Sequence, residues 1–260
     1  MSKIRQAFDD AKAEGRAALV GYLTAYDPDM AGSLERIMAA VDAGLDVLEL
    51  GVPFSDPAAD GPDVQAAMIR ALAAGATLPK VLDLARAVRE RSDVPIVLFS
   101  YANPLLQMGS RLGAAAAAAG VNGLLVVDCP PAHADELREP AAARGLDWIG
   151  LVAPTTTPAR MRAIAEVTTG FVYAVTLKGV TGAELDVDSA ALEQQLAAVK
   201  EVFDVPVAAG FGVRTALQAQ TLARKADGVV VGSALIRAAQ ESLNALTELV
   251  RDLRAGTECC

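Results

Sequence analysis

Short runs of aliphatic and β-branched residues recur along the chain at 18–24 (ALVGYLT), 46–50 (DVLEL), 95–99 (PIVLF), 123–127 (GLLVV), 147–152 (DWIGLV), 171–175 (FVYAV), 205–209 (VPVAA) and 228–231 (GVVV). Between them lie segments whose apolar residues return every third or fourth position, such as SLERIMAAVDAG and PKVLDLARAVRERS. Short apolar runs predict strands, and the helical recurrence predicts amphipathic helices. Strand, helix and strand in alternation imply a parallel sheet with right-handed crossovers. Strands without a polar face imply a sheet covered on both sides.

Eight such units in 260 residues favour a closed (β/α)8 TIM barrel over an open doubly wound sheet. The turn after the first strand has no G-x-G-x-x-G, which weighs against a dinucleotide fold. The opening MSKIRQAFDDAKAEGRAA predicts an extra charged, amphipathic N-terminal helix. The alanine run Ala114–Ala119 predicts a helix packed closely on the barrel wall. No shift in composition marks a boundary, so 1–260 is expected to form a single (β/α)8 barrel domain. The longest connections, 51–61 and 176–188, both follow strand C-termini, the end where barrels carry their chemistry.

A formal net charge of −9 disfavours nucleic acid and anionic membranes as partners. An anionic substrate would then be held by local backbone dipoles rather than by the global field. The three cysteines are Cys129, Cys259 and Cys260, and the single histidine is His133. That set has no metal-ligand spacing, so no metal site is expected, and it fits a reducing, cytoplasmic location. No signal-peptide core and no membrane-spanning apolar run is present.

The stretch LELGVPFSDPAADGPDVQ (48–65) places Glu49 inside an apolar strand and two more carboxylates, Asp56 and Asp60, in the following loop. A barrel strand has no solvent-facing side, so Glu49 is enclosed whichever way it points. A buried carboxylate needs a counter-charge or must hold its proton. No basic residue lies within a predicted strand to pair with it. Burial should raise its pKa and suit it to proton transfer near neutrality. Asp56 and Asp60 also fit ordinary turn and helix-start chemistry, with Pro62 at a first helical position.

A second cluster is glycine-rich. AAGFGVRTALQA (208–219) and ADGVVVGSALIRAA (226–239) each join a strand end to a helix start, through Gly210 and Gly212 and through Gly232 and Ser233. Consecutive helix N-termini after the seventh and eighth strands would cradle a phosphate. GVTGAE (179–184), with Thr181 and Gly182, is a third candidate contribution. His133 fits a surface or capping role, nothing near Cys129 would activate a thiolate, and Lys178 lies in a glycine-rich loop rather than the desolvated strand a Schiff base would want. Residue pattern alone thus reaches a barrel enzyme for a small phosphorylated substrate, working by carboxylate acid–base chemistry.

The stretch 48–65 also resembles the signature of the tryptophan synthase α subunit family. The resemblance continues through GYLTAYDPD (21–29), SYANPLL (100–106), APTTTPAR (153–160), LKGVTGA (177–183), AGFGVRT (209–215) and ADGVVVGSAL (226–235), in the family's order and spacing. It implies a TIM-barrel lyase that cleaves indole-3-glycerol phosphate to indole and glyceraldehyde 3-phosphate by a retro-aldol reaction. It further implies an α₂β₂ complex whose β subunit carries pyridoxal phosphate, with no cofactor in this chain. By the same resemblance Glu49 is the general acid–base, and Asp60 accepts a hydrogen bond from the indole N–H. Tyr22, Val64, Phe99, Val126, Tyr173 and Phe211 would line the indole pocket. Gly182, Gly212, Gly232 and Ser233 would bind phosphate, and Thr181 would close over the substrate and orient Asp60. Pro53, Phe54, Asp56, Asn103 and Pro130 would meet the β subunit.

Two departures stand out. Tyr26 occupies a position where the family usually has glycine, and Asp63 replaces an apolar or hydroxyl residue. An extra carboxylate beside Asp60 would shift its pKa unless Asp63 turns away from it. Two other readings keep the same chemistry or the same fold. One is a stand-alone indole-3-glycerol phosphate lyase without an obligatory partner. The other is a weakly active α subunit kept mainly as an allosteric activator of β. A different phosphate-binding barrel would need catalytic residues at other strand ends, and none is evident.

Overall fold

The protein is described by a computed structural model covering residues 2–176, 189–210 and 212–258. Eight strands close into a parallel barrel in sequence order: β1 (Ala18–Thr24), β2 (Val47–Gly51), β3 (Ile96–Ser100), β4 (Gly123–Val126), β5 (Asp147–Val152), β6 (Val172–Val175), β7 (Val207–Gly210) and β8 (Gly228–Val231). The last strand returns to the first, with Ala18 opposite Gly228. Several strands begin a residue or two inside the apolar runs. Asp46, for example, stands just before β2 and spends its carboxylate on Arg16 and the Leu19 N–H.

Helix α1 (Lys3–Ala13) precedes the barrel, as the charged N-terminal segment implied. The ring is built by α2 (Met30–Asp42), α3 (Pro62–Ala73), α4 (Leu78–Arg89), α5 (Ala102–Leu106), α6 (Leu112–Ala118) and α7 (Asp135–Ala142). It continues with α8 (Pro158–Ala165), α9 (Ala190–Val202), α10 (Ala216–Ala223), α11 (Ser233–Glu241) and α12 (Leu243–Gly256). Pro62 opens α3, where a missing N–H costs nothing. The alanine run forms α6, and Gly113 in it is required by packing. A Cβ there would collide with the Pro140 carbonyl of α7.

Period-two alternation sorts the strand side chains. Val20, Val47, Val97, Leu125 and Ile149 fill the barrel, while Leu19, Leu48, Leu98 and Leu124 face the helices. Ile4 and Phe8 of α1 pack into the same interior cluster, with the Phe8 ring centroid 5.3 Å from that of Phe171. One end of the barrel is thereby filled with hydrocarbon, and the open end is the one where the strands terminate. Among the described residues, no helix is long and apolar enough to cross a membrane.

Candidate active site

A cleft of about 590 Å³, open mouth included, lies at the C-terminal ends of the strands. Glu49, Asp60, Tyr22, Val64, Phe99 and Tyr173 line one part of it, and Gly212, Gly232 and Ser233 line another. Nine of the residues singled out from the sequence as acid–base, apolar wall and anion cradle therefore share one cavity.

Glu49 sits in β2 beside Tyr22 of β1 and Val97 of β3. It is 1% exposed, and its Oε1 has no hydrogen-bond partner. A carboxylate in such surroundings is strongly disfavoured, and burial raises the Glu49 pKa to about 8. At neutral pH the group therefore holds its proton and is a loaded acid. The Tyr22 and Tyr173 phenols are pushed well above their usual range, chiefly by burial, with Asp60 and Glu49 adding to it. Both remain neutral walls. Tyr22 meets Phe99 edge to face at 5.0 Å, and its hydroxyl lies over Gly51, where a Cβ would collide with it.

Asp60 is buried at the end of the β2–α3 loop, with a different environment. Its Oδ2 accepts a 2.6 Å hydrogen bond from the Tyr101 hydroxyl, which in turn accepts from the Ala59 N–H at 2.9 Å. Burial raises the Asp60 pKa and the Tyr101 bond opposes that rise. The Gln65 amide donates to the Asp60 carbonyl at 2.8 Å, fixing the backbone as well. Burial thus raises both carboxyl groups of the cleft, but Glu49 Oε1 has no partner, whereas Asp60 has a Tyr101 hydrogen bond that favours its anion.

At the other end, Gly212 adopts φ +84°, a left-handed conformation that suits glycine. Gly232 precedes α11 with no side-chain cap, so the first N–H groups of that helix are available to an anion. Thr181, Gly182 and Phe211, expected to take part, lie outside the described residues, as do Lys178, Cys259 and Cys260.

One wall residue is corrected. Val126 packs in the cluster between strands and helices and does not line the cleft, because odd-numbered positions of β4 point inward. Leu125 and Val127 occupy the interior instead. Cys129 lines a separate cavity with Trp148 and Arg160, its thiol raised by burial and by Asp128. His133 is exposed in a short 3-10 turn. The second departure is resolved: Asp63, in the first turn of α3, forms an ion pair with Arg237 of α11.

Sequence reasoning missed three polar residues of the cleft or its immediate support. Tyr101 was legible, since it follows Phe99 at the same strand parity. Arg237 was legible as the residue one helical turn after Ser233. Arg214, whose N–H donates to the Gln218 amide oxygen at 2.8 Å, carried no distinguishing signal.

Around the mouth, Pro53, Phe54 and Asp56 follow β2, Asn103 follows β3 and Pro130 follows β4. They form one sector of the rim. Phe54 stacks on Tyr101 at 5.1 Å, while Asp56 and Asn103 are exposed. Among the described residues, no group of three or more His, Cys, Asp or Glu is placed to hold a metal ion.

A family model described as "Tryptophan synthase alpha chain" matches residues 8–258. The tryptophan synthase alpha chain of Geobacter sulfurreducens is 50% identical, covering 91% of this chain and 90% of its own. That of Burkholderia thailandensis is 46% identical over 99% of this chain and 97% of its own. A solved tryptophan synthase chain of Mycobacterium tuberculosis superimposes with a TM-score of 0.93 at 39% identity, covering 100% of this chain and 99% of that one. The subunit alpha structure from Legionella pneumophila gives 0.90 at 34% identity, covering 99% and 98%.

Proposed function

The chain belongs to the tryptophan synthase alpha chain family, whose reaction is cleavage of indole-3-glycerol phosphate to indole and glyceraldehyde 3-phosphate, and we propose that Glu49 and Asp60 carry that reaction here. The observation that carries the reading is the unpartnered, fully enclosed Glu49 carboxyl, in one cleft with Asp60 and with the Gly212, Gly232 and Ser233 cradle.

The reaction begins with Glu49 protonated, as its pKa of about 8 provides. It gives that proton to C3 of the indole ring. The Asp60 carboxylate accepts a hydrogen bond from the ring N–H and stabilises the positive charge that spreads there. Glu49, now a carboxylate, takes the hydroxyl proton from the carbinol carbon attached to C3. The O–H electron pair becomes the new C=O bond, the C–C bond breaks, and its pair returns to the ring. Indole keeps the donated proton, the aldehyde departs, and Glu49 is reloaded. The chain is an enzyme of the lyase type, and we assign it to the carbon–carbon, aldehyde-releasing subclass.

Tyr22, Val64, Phe99 and Tyr173 form the indole wall, with Leu125 and Val127 the inward-facing pair of β4. The backbone around Gly212, Gly232 and Ser233 receives the phosphate. Gly182, Thr181 and Phe211 join them by family resemblance. The family pairs with a β subunit, and the rim sector of Pro53, Phe54, Asp56, Asn103 and Pro130 is the proposed contact face. An α₂β₂ assembly in the cytoplasm is expected, with pyridoxal phosphate held by the β subunit and no cofactor in this chain.

The test is indole release from indole-3-glycerol phosphate by this protein, alone and with a tryptophan synthase β subunit. Slow release that rises at least about tenfold on adding β is the expected outcome, since a partner on the rim would bear on Phe54, which packs on the Tyr101 that holds Asp60. Fast release insensitive to β would favour the stand-alone lyase. No release in either condition would contradict the proposal.

A further inference from the structure

We propose that Arg237, held by Asp63, is a phosphate-positioning residue of this cleft, supplying a cationic side chain to the anion site around Gly212, Gly232 and Ser233. The proposal deepens the functional reading above and rests on it for the identity of the substrate.

Three observations converge on Arg237. It lines the same cleft as Gly212, Gly232 and Ser233. It lies four residues after Ser233 on α11, the helix whose uncapped start faces the cleft. Residues four apart share one helix face, and helical side chains lean toward the N-terminus. An arginine one turn in, about 6 Å along the axis, therefore sends its guanidinium back toward the first turn. Finally, Asp63 of α3 takes one nitrogen of that guanidinium, with the two side chains 27% and 41% exposed. A multi-donor planar fork tethered at one corner keeps its remaining N–H groups in a fixed direction.

The charges in the cleft are segregated accordingly. The carboxyl groups Glu49 and Asp60 come from β2 and its loop, and the guanidinium groups Arg214 and Arg237 come from the β7 and β8 side. A substrate with an aromatic ring at one end and a phosphate at the other fits that polarity in one orientation only. A chain with net charge −9 repels such a substrate at long range, so a local cation near the cradle has a defined task.

Phosphate binding is read directly, from the rise in Tm that inorganic phosphate gives the full chain, and independently from KM for indole-3-glycerol phosphate in the presence of β. Arg237→Met is expected to weaken both by about tenfold, the scale of one partly exposed charge-assisted hydrogen bond, with kcat within about twofold. Arg237→Lys, which keeps the charge but not the fork, should recover only part of the loss, and binding of indole, which has no phosphate, should be unchanged. Removing Arg237 also leaves Asp63 unpaired, so the double variant Asp63→Asn/Arg237→Met separates the two effects. If its phosphate binding stays weak, Arg237 acts on the anion itself. If it returns to wild type, Arg237 merely neutralises Asp63 and the proposal falls. Unchanged phosphate binding in Arg237→Met would also overturn it. Should wild type bind phosphate through Arg237 yet fail to cleave the substrate, this inference stands and the functional reading fails.

Discussion

At the scale of single residues, environment decides the roles of the two carboxyl groups. Glu49 is buried without a partner and keeps its proton up to about pH 8. Asp60 is supported as an anion by Tyr101. The account predicts that kcat/KM falls as pH rises through about 8, where Glu49 loses the proton it must donate. It should fall again in acid as Asp60 is neutralised, with that limb displaced upward from an ordinary aspartate by burial. The sign for stability follows from the same group. Between 4.5 and about 8 the folded chain holds a proton on Glu49 that the unfolded chain has released, so stability declines with pH across that window. Glu49→Gln should flatten that decline in denaturant titrations, while removing the alkaline limb of the activity. Tyr26 shows a cost of another kind: it adopts φ +64°, and the left-handed region disfavours a non-glycine residue by about 1–2 kcal/mol. Its ring is 8% exposed and packed in the core, and burial of that size offsets the strain.

At the scale of elements, the β2–α3 loop is the piece that converts a barrel into a site. Its last residues are pinned by Tyr101, which touches Ala59, Asp60 and Phe54 together. Tyr101→Phe keeps the ring contact and removes both hydroxyl bonds. Asp60 then loses support for its charged form, so the acid limb of the pH profile should move to higher pH. A loss of about tenfold in kcat/KM is expected, in line with one hydrogen bond to a charged group. An unmoved acid limb would show that Tyr101 does not tune Asp60. Strand positions were legible because each apolar run is short, continuous and bounded by turn residues. Val126 departs from the wall that the family resemblance implies, because period-two alternation turns Leu125 and Val127 inward instead. The Asp63–Arg237 pair joins residues 174 apart in sequence, a distance over which local pattern carries no information.

At the scale of the whole molecule, the barrel separates stability from chemistry along its axis. Helix α1 and Phe171 fill one end with hydrocarbon, and the other end collects the polar groups on loops that follow the strands. Strand count, barrel closure and the Glu49 anomaly could be read from the sequence, because eight alternating units and one enclosed carboxylate are patterns along a line. The sector of rim shared by Pro53, Phe54, Asp56, Asn103 and Pro130 emerges only when β2, β3 and β4 are set side by side. Phe54, in that sector, packs on the residue that holds Asp60, so a partner seated there would reach the β2–α3 loop through a single side chain. The most direct measurement is indole release from indole-3-glycerol phosphate by wild type and Glu49→Gln, each with the β subunit at neutral pH. The account predicts a loss of about 10²–10⁴-fold in kcat with KM little changed. A variant that keeps activity within about tenfold of wild type would show that the proton travels by another group, since general acid–base residues contribute more than that.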